Sequence, residues 1–206
     1  GILSTASIAI GIATASDARD PLILATLAGL VAGSLSMAAG EFVSVSSQTD
    51  IEQADIERER KELEEMPELE LQRLAEIYEN RGLKKETALT VAKELTEHDV
   101  LEAHIRDELG INEVSQANPF QAAFASGAAF TFGGALPFLV TLFFPLSSME
   151  YSIYGITTVS LILLGAISAK TGGSSVSKAV IRITFWGSIA MGLTAVVGYL
   201  FNVGVT

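Results

Sequence analysis

The chain has 206 residues, is 49% hydrophobic and carries a formal net charge of −11. The charge is confined: residues 46–118 hold 20 of the 24 acids and 9 of the 13 bases, and the flanks balance to zero. A nucleic-acid partner is excluded, because a phosphate backbone needs a basic footprint. The absence of cysteine excludes disulfides and thiolate chemistry.

The first apolar segment, Ile2–Ser16, falls short of the roughly 20 residues a span needs, so the chain is expected to begin inside a helix. No cleavable signal-peptide pattern stands at its start. The second, Leu22–Val45, is long enough to cross, and Glu41 interrupts it late. Between them, "DARDP" at 17–21 reads as a tight polar turn, with Pro21 opening the next helix.

Met37 and Glu41 stand four apart, on one face of the second span. A carboxylate in a membrane helix is costly and is usually tied to a function or a partner; the alternative is that Glu41 sits at the cytoplasmic interface, where it costs little. The thioether and carboxylate pair suits a borderline ion such as Fe²⁺ better than Ca²⁺ or Mg²⁺. These two residues are a candidate ion-binding pair within the span.

The helix is expected to run on without a break into the acidic block, 46–118. Glu52, Asp55, Glu59 and Glu62 are spaced as one carboxylate stripe. Met66-Pro67 marks a break, after which Leu71, Leu74, Ile77 and Tyr78 define a second amphipathic helix ending at Gly82. A third runs through Ala88, Val91, Ala92, Leu95, Leu101, Ile105 and Leu109 to Gly110. Glu70 lies on the second helix. His104, Asp107 and Glu108 share a face of the third. Carboxylates with one imidazole match the donors of ferrous or manganous sites.

Three more apolar segments follow: Phe120–Phe144 with Pro137 inside, Ile153–Ala169, and Ile181–Val203. Small residues crowd the second and third spans, which favours close helix packing and dimerisation. Lys170, Lys178 and Arg182 gather around the loop between the last two spans. The positive-inside rule puts that loop, and by alternation the acidic block, in the cytoplasm. Arg19, in an outer turn, runs against the rule.

The expected fold is an all-α membrane protein: five transmembrane helices with a cytoplasmic, three-helix acidic insertion between the second and third. The expected domains are 1–45, 46–118 and 119–206. No nucleophile–base set, phosphate loop or dinucleotide fingerprint occurs, so no enzyme and no cofactor are expected.

The stretch "SLSMAAGEFVSVSSQTDIEQADIERERKELEE", with "IYENRGL", "LTEHDVLEAHIRDELG" and "NPFQAAFASGAAFTFGGALPF" after it, resembles the vacuolar iron transporter family. The resemblance covers the whole chain. It implies a five-span homodimer in membrane lipid that exports Fe²⁺, in some members Mn²⁺, from the cytosol against protons. Zn²⁺ and Co²⁺ are further candidate cargoes. It implies an integral membrane location, in a plasma or vacuole-type membrane according to source. It implies metal ligation by Glu59, Glu62, Glu70 and Glu108, and a pathway through Met37 and an acid ahead of the first span, before Gly1. Two residues depart from the family pattern: Arg73 replaces a glutamate, and His104 stands where some members have a methionine ligand. The reading from another class is a membrane-anchored metal-binding or sensing protein that does not transport. A structural scaffold would leave the carboxylate faces unexplained.

Overall fold

The structure, a computed structural model, describes residues 1–111 and 118–205. Residues 112–117, at the end of the acidic block, lie outside it. Among the described residues there is no strand, and seven α-helices follow one another: α1 (Ile2–Ala15), α2 (Arg19–Glu65), α3 (Pro67–Asn80), α4 (Lys85–Asp107), α5 (Pro119–Phe143), α6 (Met149–Thr171) and α7 (Val176–Val205). By length and composition α2, α5, α6 and α7 can each cross a membrane. Helix α1 is apolar, but its 14 residues rise only about 21 Å, short of the ~30 Å of hydrocarbon. The structure therefore holds four candidate spans and a shorter apolar helix.

Several ends lie beyond the apolar runs. Helix α2 starts at Arg19, inside the stretch read as a turn, and α6 starts at Met149 after a 3₁₀ turn at Leu146–Ser148. Polar residues extend a helix once its apolar face is packed, so hydropathy underestimates length.

The chain divides into two units, Gly1–Gly40 with Ala123–Thr206, and Glu41–Ala122. Helix α2 is continuous through the division, with 47 residues and no internal proline beyond Pro21.

In the first unit Ala6, Ala9, Ile10, Leu22, Val140, Met149, Ile153 and Met191 form the buried core. Helices α1 and α7 approach closely: a Cβ on Gly198 would run into the Gly11 carbonyl oxygen, so no larger residue fits there. Thr14 Oγ1, 3.3 Å from the Ala195 carbonyl oxygen, also links the two. Helices α2 and α5 meet through Ser34 Oγ, 2.9 Å from the Gly127 carbonyl oxygen and 2.7 Å from Thr131 Oγ1. Pro137 lies buried within α5 and withholds a donor from the turn before it. Arg19 donates to the carbonyls of Leu142 (2.7 Å) and Phe144 (2.6 Å), where α5 ends. A guanidinium at a helix C-terminus satisfies free carbonyls and opposes the helix dipole, which gives the out-of-place basic residue a local task.

In the second unit α3 packs on α4 around Leu74, Ala75, Ala92 and Ala103, with Leu71, Tyr78, Leu89 and Leu95 at the edge. Pro67 opens α3, where its missing N–H costs nothing. Gly82 (φ +102°) and Gly110 (φ +69°) take left-handed conformations at the ends of α3 and of the α4 segment. Helix α4 is not the uninterrupted helix its spacing suggests. Asp99 sits at φ −159°, ψ 98°, and its Oδ1 accepts from the Glu102 N–H at 2.9 Å. It therefore caps a fresh helical segment that carries His104 and leads to Glu108.

Candidate metal centre

Three helices of the second unit each bring part of a donor set. Glu59 comes from α2, Glu70 from the first turn of α3, and His104 and Glu108 from the end of α4. One donor atom from each of these four residues lies within 4.8 Å of the others. Glu59, Glu70 and His104 are buried and Glu108 is half-buried. Gathering three carboxylates, two of them buried, around one imidazole is unfavourable unless protons or cations compensate.

His104 Nδ1 is the hinge of the arrangement. It lies 3.0 Å from Glu108 Oε2, to which it is hydrogen-bonded, and 2.9 Å from Glu59 Oε1. Glu59 Oε1 lacks hydrogen-bond alignment despite that distance, and among the described residues neither it, Glu70 Oε1 nor His104 Nε2 has a hydrogen-bond partner. Nδ1 cannot give its single hydrogen to both carboxylates. A cation could bind Glu59, Glu108 and a deprotonated Nδ1 together. Burial, and then the nearby Glu108 carboxylate, raise the Glu59 pKa; His104 opposes this, and Glu70 and Glu62 add to it.

Arg73 closes one side. Its Nη1 lies 3.0 Å from Glu62 Oε2, 3.0 Å from Glu70 Oε2 and 3.6 Å from Glu108 Oε1. The hydrogen bond to Glu62 raises its pKa, burial opposes this, and the other two carboxylates reinforce it. Glu62 thus borders the cluster through Arg73 and is not part of the four-residue donor set. The donors present are hard or borderline, three carboxylates and an imidazole, a set that suits Fe²⁺ or Mn²⁺.

The carboxylate stripe on α2 is not gathered at one place. Glu52 accepts from Gln48 Nε2 at 3.1 Å, and Asp55 pairs with Arg58 at 3.0 Å on the surface. Asp107, on the helical face assigned to His104, is taken by Arg81 (2.6 Å), the Tyr78 hydroxyl (2.7 Å) and Arg106 (3.1 Å). Burial pushes its carboxyl upward, but the hydrogen bonds from Arg81, Tyr78 and Arg106 outweigh it and leave the pKa lowered. Met37 and Glu41 lie a helical turn apart on α2; Met37 is 48% exposed. The residue that sequence reasoning left out of the site is Arg73. Its i,i+3 spacing from Glu70 was the available signal.

The model of the VIT family matches residues 1–199. The chain is 45% identical over 203 residues to a vacuolar iron transporter of Acanthamoeba castellanii, covering 97% of this chain and 77% of that protein. It is 32% identical over 202 residues to vacuolar iron transporter homolog 2 of Oryza sativa subsp. japonica (98% and 85%). It is 30% identical over 195 residues to vacuolar iron transporter homolog 2.1 of Arabidopsis thaliana (94% and 73%). With its apolar helices and a match along nearly its whole length, the chain belongs to the VIT family, a family of membrane transporters and not of enzymes.

Proposed function

We propose that this chain exports Fe²⁺ from the cytosol in exchange for protons, as a homodimer whose five spans include α1. The observation that carries the reading is the buried Glu59–Glu70–His104–Glu108 cluster in a chain whose relatives are named vacuolar iron transporters. In this reading the second unit is cytoplasmic and collects the ion. Its acidic surface raises the local cation concentration, and the cluster binds the ion. Met37 and Glu41, further back along the same helix, belong to the path across the bilayer. A soft thioether next to a carboxylate lets a borderline ion shed its waters stepwise.

The homodimer rests on the exposed groove lined by Ser34, Ala38, Gly127, Phe124 and Phe132. Small residues there permit a close approach by a second copy, and the aromatic rings would leave lipid for protein.

The deciding experiment is ion flux in sealed proteoliposomes under an imposed pH gradient, with Fe²⁺ and then Mn²⁺. Fe²⁺ that enters the lumen as protons leave it, so that the lumen alkalinises in step, supports exchange. Metal binding without flux would favour the anchored metal-binding or sensing protein instead.

A further inference from the structure

Arg73 Nη1 faces three carboxylates from three chain segments: Glu62 of α2, Glu70 of α3, and Glu108 at the C-cap of α4. Two of these acids also belong to the four-residue cluster. Glu70 commits Oε2 to the guanidinium and leaves Oε1 buried without a partner among the described residues. Glu108 turns Oε1 towards Arg73 and Oε2 towards His104. Each glutamate thus bridges two cation positions, one already taken by a side chain.

We infer that the Arg73 guanidinium is a resident cation: it fills a second position bounded by Glu62, Glu70 and Glu108, and so limits the cluster to one divalent ion. The inference rests on the metal-binding reading above. Charge count agrees with it. Glu59, Glu62, Glu70 and Glu108 bring four negative charges and Arg73 removes one, so a single dication leaves one in excess and a second would overfill the site. Without Arg73, two dications balance the four carboxylates. A guanidinium stays charged at any physiological pH and has no lone pair to offer a metal, so it holds its position as a counter-charge and never as a ligand.

The test counts Mn²⁺ on the full chain in detergent micelles by equilibrium dialysis and electron paramagnetic resonance. Ions at the cluster are those lost when Glu70→Ala is added. The parent is expected to retain one Mn²⁺ with an isolated-ion spectrum, and Arg73→Lys likewise. Arg73→Glu and Arg73→Gln are expected to retain two, with the exchange-broadened spectrum of ions about 4 Å apart, the spacing of bridged metal pairs. A merely structural Arg73 would not change that spectrum. Circular dichroism checks folding, and Arg73→Gln, which adds no like charge, decides the matter if Arg73→Glu unfolds. One isolated ion in both neutral and acidic variants, or a coupled pair in the parent, overturns the inference while leaving the metal site standing. A parent that retains no Mn²⁺ removes both.

Discussion

His104 Nδ1 on α4 lies 2.9 Å from Glu59 Oε1 on α2, close enough for a hydrogen bond that its geometry gives to Glu108 instead. In the proposed reading a cation completes this contact. Removing the imidazole should therefore weaken binding more than it weakens folding. His104→Ala is expected to lower Mn²⁺ affinity about tenfold or more, at least the loss seen when a supporting residue of a metal site is removed. Asp107→Asn is the contrast. It disturbs the Arg81 and Tyr78 contacts and should cost about 1–3 kcal/mol of stability with little change in the number of ions bound. Equal losses of affinity in the two variants would remove His104 from the ligand set.

Glu59 makes the unloaded chain respond to pH. Its pKa is raised from 4.5 by burial first and by Glu108 next, and the groups facing it are Glu62, Glu70, His104 and Glu108. A carboxyl whose folded pKa is raised stabilises the fold below its unfolded value, and that contribution is lost as pH rises through the folded value. The unloaded chain should thus melt at a higher temperature at about pH 5 than at about pH 7, and Glu59→Gln should flatten the difference. Asp107 has the opposite sign. Its pKa is lowered from 3.8, so its contribution is full above 3.8 and lost only as pH falls through the lowered value, outside that window. Metal competes with the proton at Glu59, so saturating Mn²⁺ should reverse the trend. A melting profile identical in parent and Glu59→Gln sinks this account.

Four of the five expected spans were legible because their apolar runs are long: Phe120–Phe144 is nearly the α5 that forms, Pro119–Phe143. The break at Asp99 was not read, although the step of six from Leu95 to Leu101 turns the apolar face by about 120°; the fold shows it in the Asp99 backbone and its side-chain cap. The centre was half legible. Spacing put His104 and Glu108 on one face, and the structure brings them together. Spacing also put Glu52 and Asp55 in line with Glu59, because periodicity along one helix carries no information on which turn meets α3 and α4. Arg73 was read as a departure from a ligand pattern; its three carboxylate contacts come from chain segments that only the fold assembles.

In the proposed reading the cap at Asp99 positions two ligands without itself being one. It orders the segment that carries His104 and Glu108, so Asp99→Ala should cost about 1 kcal/mol and lower Mn²⁺ affinity by a few fold. Asp99→Asn, which keeps the acceptor oxygen, should restore both. Calorimetric titration of the three proteins checks this. An Asp99→Ala protein that binds as tightly as the parent would show that α3 packing alone holds the segment.

Met37 separates transport from binding. Its side chain is half exposed, so truncation removes little buried surface, and Met37→Ala should change stability by less than about 1 kcal/mol. The cluster on the second unit does not include it, so the Mn²⁺ count of the full chain should stay the same. If the thioether lines the path, Fe²⁺ flux per folded protein in proteoliposomes falls several fold while both other readouts hold. Glu59→Ala combined with Glu62→Ala should do the reverse, losing the bound ion yet keeping residual flux, because concentrating ions near an entrance does not open the barrier beyond it. Unchanged flux in Met37→Ala would make the residue a packing element and leave Glu41 to carry the path.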